Sequence, residues 1–403
     1  MVSEIIVPQE NSRHVSPEGL AAAVLLAFMT TAGLFYVNLG GAFLTAFVDG
    51  LGISREAAGY IVSANKYGAA FGALIATLGT RYLSWRKVAY FVLPGMIAID
   101  LLSFQITSSE VLVGVRFLHG MIGGFLVGLG LGVIARTENP DSGYGMLLAV
   151  QYSFGSLGIF LVPKLVGTYG PGAAFGALIC FSLITLVMVP FIPDYPPREK
   201  PSITPGKAKA SRRRFLPLIL ALAAVFLFQA TNMGVADYAF ELGKDSGFEV
   251  SSLSNILSVA NIISVSGALL VYVIGIKFGR TLPILLGVLT AMAFTFALHW
   301  SEIGWIYFVA NTVTGITWAF CISYLLGLCA TFDGHGQMAA LGGFVSKMGL
   351  ASGPFIAASV VGEGNFTLII NLAAVGLIVC ALSALIPSIK MDRLDKLATE
   401  EKG

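Results

Sequence analysis

The sequence predicts an all-α membrane protein of twelve transmembrane helices in two pseudo-symmetric six-helix bundles. Three observations carry that expectation. The 403-residue chain is 56% hydrophobic and only 11% charged, where a soluble domain carries roughly 25% charged residues. Apolar runs of the length that crosses a bilayer, about 20 residues, recur from end to end. The second half of the chain also repeats the first.

The runs fall, in order, at 20–48, 56–79, 88–107, 110–135, 144–163 and 173–192, then at 215–240, 251–276, 281–300, 303–330, 336–361 and 366–387. The first follows a polar segment, 1–19, and is too long for the h-region of a signal peptide, so no cleaved leader is expected. Between the sixth and seventh lies "PDYPPREKPSITPGKAKASRRR" at 193–214, Pro-rich and basic, which reads as a flexible linker. The expected divisions are an N-terminal segment (1–19), a first bundle (20–192), the linker (193–214), a second bundle (215–387) and a tail (388–403). The 47 glycines suit close helix packing in lipid. The four cysteines lie inside runs and none has CxxC spacing, so neither a disulfide framework nor a metal site is expected.

Of the 24 Lys and Arg residues, eighteen fall in segments on the side of the termini. Three (Arg55, Lys164, Lys244) fall on the other side and three (Lys66, Arg116, Lys347) inside the runs. The positive-inside rule then places both termini and the linker in the cytoplasm.

The repeat is legible residue by residue. Asn38 pairs with Asn232, Asn65 with Asn261, Arg81 with Lys277, Arg116 with Asn311 and Gly155 with Gly349, in order and always 194 to 196 residues apart. Parallel six-helix repeats meeting around a central site are a transporter design.

Several motifs resemble those of the major facilitator superfamily. The turn after the second run, "ATLGTRYLSWRK", resembles that family's GxxxDRxGRR motif through Arg81, Arg86 and Lys87, and "GIKFGRT" at 275–281 repeats it. The family's Asp is replaced by Thr80 and Ile276. Arg116, Gly120 and Gly124 match an RxxxGxxxG pattern, and 349–354 reads GxxxGP. The resemblance covers nearly the whole chain. It implies that spans 1, 4, 7 and 10 line a cavity, with 2, 5, 8 and 11 at the seam between halves.

Helical spacing on the cavity spans then groups Thr31, Asn38 and Thr45; Arg116, His119 and Gly123; Gln229, Asn232 and Ala236; and Asn311, Gly315 and Trp318. Gln151 and Tyr152 join Asn38, Asn232, Asn311 and Trp318 as substrate-binding candidates. The charges weigh more, because an ionisable group at a helix centre costs about 2.5–3.5 kcal/mol on insertion scales. Asp100 and Arg116 face each other across a hairpin and can pair. Lys347, in "GGFVSKMGLASGP", stands near the bilayer midplane, and Lys66 lies at similar depth. Three deep cations against one obvious deep acid favour an anion that comes and goes. Lys347, Arg116 and Lys66 are therefore the leading ligands. His119, Asp100 and Asp237 are the candidates for carrying a proton.

The expected activity is secondary transport of a small organic anion, a carboxylate, by alternating access with a proton or counter-anion. The alternative is a neutral or amphipathic solute, a sugar or drug, with structural lysines. GxSxG, HExxH and clustered Cys/His motifs are lacking. No enzyme activity, cofactor or nucleic-acid partner is expected, and the chain reads as a monomer in the bilayer. Short loops fit a bacterial inner membrane. A cysteine at position 207 is expected to react with an impermeant thiol reagent only from the cytoplasmic side; labelling in intact cells would reverse the topology.

Overall fold

The computed structural model describes residues 14–79, 84–195, 215–332, 337–362 and 364–400. The described residues are almost wholly helical. The first expected span is not one helix. It breaks into α1 (Leu20–Ala32), α2 (Phe35–Asn38) and α3 (Gly40–Thr45), ending in a π-helical turn at Ala46–Gly50. It is interrupted at Gly33–Leu34 and at Leu39, where a glycine, a weak helix former, lies in the first break and Gly40 and Gly41 follow the second. Then follow α4 (Arg55–Gly79), α5 (Trp85–Ser103), α6 (Ser109–Ile134), α7 (Pro140–Tyr169) and α8 (Gly172–Met188). The second half repeats the pattern with α9 (Phe215–Asp237), α10 (Ala239–Asp245), α11 (Val250–Ile274), α12 (Thr281–Ala297), α13 (Gly304–Ala330), α14 (Gln337–Val361) and α15 (Phe366–Glu400).

Nine helices among the described residues are long and apolar enough to cross a membrane. α4 and α5 are of similar length, but residues such as Asn65, Lys66, Arg86 and Asp100 lower their hydropathy. Large apolar side chains face outward, Phe91 at 82% and Tyr272 at 89% exposure among them, as lipid contact requires. The expected linker falls largely on 196–214, and the Arg81 turn on 80–83, both outside the described residues. The expected tail is not separate: α15 continues through it to Glu400 as one 35-residue helix. At about 1.5 Å per residue that is roughly 50 Å, longer than the bilayer core of about 30 Å.

Glycines set the closest approaches. On α6, Cβ atoms at Gly120 and Gly124 would run into the backbone of Asn65 and Ala69; on α4, Gly68 and Gly72 lie against the carbonyls of Phe117 and Met121. α4 and α6 therefore meet backbone to backbone, which brings Asn65 beside Arg116 and His119. In the second half, Gly349 and Gly353 of α14 lie against the carbonyls of Phe226 and Ala230 on α9. This is the close packing that GxxxGP implied.

The two halves touch along two seams. Ser63 donates to the Ala351 carbonyl and the Tyr67 and Ser352 hydroxyls meet at 2.8 Å, joining α4 to α14. Asn261 donates to Ser156 at 2.7 Å and Lys164 to Asn255 at 2.8 Å, joining α11 to α7. One apolar core runs through the first half and continues into Tyr238, Phe240, Tyr307 and Phe366 of the second; another lies wholly within residues 221–391.

At the linker face Arg86 and Asp392 each tie parts of one half together. Arg86, at the start of α5, pairs with Asp194 at 3.1 Å. In the second half Asp392 accepts from the Arg280 and Thr281 amides at 2.8 and 2.9 Å and from the Thr281 hydroxyl at 2.6 Å. It caps α12, whose own preceding residue, Arg280, supplies no side-chain cap.

Gly120→Val is expected to lower stability by about 3 kcal/mol or more, since overpacking against backbone leaves no side chain to yield. Gly132→Ala, with no atom within 4 Å of the new Cβ, serves as the neutral comparison in the same melting experiment.

Candidate functional site

Three buried charge clusters sit along the interior. The first lies within the first half. Arg116 on α6 donates to Asp100 on α5 at 2.7 Å, to the Ile99 carbonyl at 3.3 Å and to the Ser103 hydroxyl. The Arg116 and Asp100 side chains are both fully buried. The guanidinium also lies over the rings of Phe175 at 5.0 Å and Tyr36 at 5.8 Å. The expected hairpin pair therefore forms.

His119 follows one turn after Arg116. Asn65 Nδ2 lies 3.0 Å from His119 Nδ1 and also donates to the Arg116 carbonyl. An amide nitrogen only donates, so His119 Nδ1 accepts and its proton sits on Nε2. That nitrogen is 3.4 Å from Asp100 Oδ2, without hydrogen-bond alignment. The Tyr36 hydroxyl and Arg116 Nε are buried here without a hydrogen-bond partner.

The second cluster is an ion pair between halves. Lys66 on α4 contacts Asp237 at the end of α9, with side chains 1% and 5% exposed. The expected count of three deep cations against one deep acid is corrected by this contact. α9 stops at Asp237 and α10 restarts at Ala239, and this break turns Asp237 inward against α3, where Gly40 leaves room for the pair.

The third cluster centres on Glu241 of α10, whose side chain is fully buried. It accepts from the Thr45 hydroxyl at 2.9 Å and from Arg55 Nε at 3.0 Å, and pairs with Lys244 at 2.6 Å. Lys244 also holds Asp49 at 2.6 Å, and the Tyr238 hydroxyl donates to the Arg55 carbonyl at 2.9 Å. Thr45, Asp49 and Arg55 belong to the first half and Tyr238, Glu241 and Lys244 to the second. The cluster fastens the halves at the face opposite the linker, hereafter the latch face. Glu241 directly follows the seventh run, 215–240, and was not among the expected site residues. The signal available was that Arg55 and Lys244 are two of the three cations on that side. A cavity of about 560 Å³ opens there, lined by Thr45, Asp49, Lys164, Thr168 and Ser251 among others, and it stands apart from Lys347.

The remaining candidates divide into two groups. Asn38 lies near Asn261 across the seam, with Gly155 between them. Asn261 donates to the Tyr152 carbonyl at 3.4 Å. Asn38 Nδ2 and the Tyr152 hydroxyl are buried without a hydrogen-bond partner, and Gln151 is half-buried beside them in sequence. In the second half, Gln229 accepts from Trp318 Nε1 and donates to Ser346, both at 2.7 Å, so its polar ends are used internally. Asn232 and Asn311 each donate to a carbonyl one turn back on their own helix, at 2.7 and 2.8 Å.

Lys347 follows Ser346 on α14 and is half-buried. It is ten residues into the helix, roughly 15 Å at about 1.5 Å per residue. The register of α14 on α4, with Ser63 and Tyr67 beside Ala351 and Ser352, puts Lys347 about one turn further toward the linker face. Among the described residues its ammonium meets no ion-pair or hydrogen-bond partner.

The model of the Major Facilitator Superfamily matches residues 20–358. No curated protein sequence matches the chain. Among solved structures, the chain resembles the nucleoside transporter NupG at a TM-score of 0.68 and 14% identity, over 91% of this chain and 98% of that one. It resembles a peptide transporter, POT, in complex with sulfate at 0.70 and 15%, over 94% and 96%. It also resembles a bacterial homologue of the human lysosomal transporter Spinster, in an inward-facing and unoccupied conformation, at 0.64 and 12%, over 92% and 95%. At these identities the likeness is one of fold.

Arg116→Ala strands the Asp100 carboxylate in the interior and is expected to cost about 3–5 kcal/mol of stability. Replacing Asp100 by Asn in the same chain should recover a large part of the loss, read by thermal melting of the single and double variants.

Proposed function

The chain belongs to the major facilitator superfamily, and on that premise we propose that it carries a small organic anion, with Lys347 as the principal ligand. Its family makes it a membrane transporter rather than an enzyme. In the finer reading it has twelve spans in two bundles, 20–192 and 215–387. These are joined by a cytoplasmic linker at 193–214, with segments 1–19 and 388–403 also cytoplasmic, in a bacterial inner membrane. A monomer suffices, because both halves of the site lie in one chain.

One observation carries the anion assignment. Of the three cations inside the spans, Arg116 holds Asp100 and Lys66 holds Asp237. Lys347 holds no acid among the described residues. An unpaired ammonium in a membrane interior costs several kcal/mol relative to a compensated one. An anionic ligand at that point removes the cost while bound and restores it on leaving, which suits a site that must both load and unload.

The surroundings of Lys347 support this use. Ser346, Gln229 and Trp318 are locked together, so the wall beside the lysine is held in one arrangement. The α4–α14 seam joins the two halves, so a ligand there touches both as they rock. Asn38, Tyr152 and Asn261 offer polar groups at the opposite seam, where two buried atoms have hydrogen-bonding capacity to spare. The latch face is fastened across the halves by Glu241, while Arg86 and Asp392 at the linker face hold partners within their own half, an arrangement suited to one state of an alternating-access cycle.

The test is thermal melting of purified protein against mono- and dicarboxylic acids, with sugars as the neutral comparison. An acid present at a hundred times its Kd should stabilise by about 2.7 kcal/mol. Lys347→Ala should fold normally and lose that shift entirely. Lys347→Arg should keep part of it, because a planar fork replaces a point charge poorly. A destabilised Lys347→Ala variant that still binds the acid would overturn the assignment.

A further inference from the structure

We propose that the latch-face cavity is a second binding site, for a small zwitterion such as a free amino acid, and that its occupant holds the latch shut. The holding role rests on the alternating-access reading; the binding does not.

The cavity is built from bends in the chain. The first span ends there in the π-helical turn Ala46–Gly50, which gives Ala46, Asp49 and Gly50 to the wall. Gly50 lies against Pro171, where a Cβ would come within 2.7 Å of the ring. Between α7 and α8 the chain turns at Gly170, whose φ of +81° favours glycine. The second half closes the remaining side with Val250 and Ser251 at the start of α11. The volume of about 560 Å³ falls within the range of small-molecule sites, about 300–1,000 Å³.

Two opposite charges face this space and do not pair with each other. Lys164 and Asp49 both line it. Lys164 donates to Asn255 at 2.8 Å and lies 3.6 Å over the Phe160 ring, while Asp49 Oδ1 is held by Lys244 at 2.6 Å. An ammonium has three donors and a carboxylate about four acceptor positions, so both keep capacity. The charges behind them sharpen the contrast. On one side Asp49, Glu241 and Asp245 stand against Arg55 and Lys244, an excess of one negative charge. On the other side Lys164 meets a neutral amide and a ring, and Glu249, which precedes Val250, does not line the cavity. A lone carboxylate gains at Lys164 and loses at Asp49; a lone amine does the reverse. A ligand carrying both groups gains at each end. Pro163, Val166 and Val250 leave apolar wall for a short side chain.

The site is complete in one arrangement of the halves. Lys164 and Asp49 belong to the first half. Asn255 and Lys244, which hold them in place, belong to the second, as do Val250 and Ser251. Parting the halves at this face removes both partners and one wall together. A ligand that binds only the latched form draws the equilibrium toward it. A zwitterion on the latch side therefore slows the cycle without being carried.

Thermal melting of the full chain carrying Lys347→Ala, which removes the proposed acid site, tests the binding with three probes. L-Alanine carries both charges, its amide only the cation and N-acetyl-L-alanine only the anion. Alanine should stabilise the protein, and each single-charge probe should bind at least about tenfold more weakly. Asp49→Asn and Lys164→Gln should each weaken alanine by a similar factor. If Lys347→Ala does not fold, the same two substitutions in the wild-type chain decide the matter. Equal shifts from all three probes, no shift from alanine, or an alanine shift that survives both substitutions overturns the site. Spin labels at Thr107 and Glu302, exposed in latch-face loops of the two halves, read the holding role once exposed Cys180 is replaced by Ser. Alanine should enrich the shorter separation. Two separations whose ratio alanine leaves unchanged while it binds overturn that role. One unchanging separation, whatever is added, overturns the alternating-access reading and leaves the binding result standing.

Discussion

A charge inside a membrane protein needs a counter-charge within reach, and the packing of this chain follows from where those partners are found. Arg116 cannot enter α6 unless α5 brings Asp100 to the same depth, and a short hairpin does so. Asn65 then reaches the Arg116 carbonyl because four glycines let α4 and α6 meet without intervening side chains. Lys66, next in sequence, faces the other way and finds its acid on α9. Two neighbouring residues of one helix thus serve opposite ends: Asn65 binds the first half together internally, and Lys66 binds it to the second. Lys347, which meets no acid among the described residues, is the place we propose for a solute to complete the charge balance.

The polar ties are distributed unevenly between the two faces. Glu241 gathers Thr45, Arg55 and Lys244 into one knot across the halves, and an apolar core continues through it. A buried carboxylate with three donors is well satisfied, but its value as a fastener comes from geometry, because its partners lie on both bodies. At the other face, the contacts of Arg86 and Asp392 consolidate each half separately. Cohesion between bodies at one end and cohesion within bodies at the other distinguish the two faces.

Much of this was legible in the sequence because it is periodic or local. Apolar runs, the 194–196 residue repeat, the Asp100–Arg116 hairpin and the close-packing glycines all depend on short spacings. What stayed hidden depends on contacts between distant segments. Lys66 and Asp237 are 171 residues apart, Thr45 and Glu241 196. Both contacts involve the breaks in the first and seventh spans, at Leu39 and at Tyr238. Read as continuous helices, those spans put Asp237 near a membrane edge. Stripe arguments likewise could not tell that Gln229 spends both polar ends on Ser346 and Trp318, or that Asn232 and Asn311 turn back on their own helices. Helical spacing gives the face a side chain starts from, and the neighbours decide where its polar atoms end.

The capping carboxylate at Asp392 has a counterpart in the first half. In each half an acid that follows the sixth span returns to the start of the third: Asp194 to Arg86, and Asp392 to the amides of Arg280 and Thr281. The chemistry differs, an ion pair in one and a helix cap in the other, yet the connection is the same. Each half buckles its own tail to its own middle without help from its sibling. A half closed in that way keeps the end of its last span fixed to the start of its third by a contact of its own.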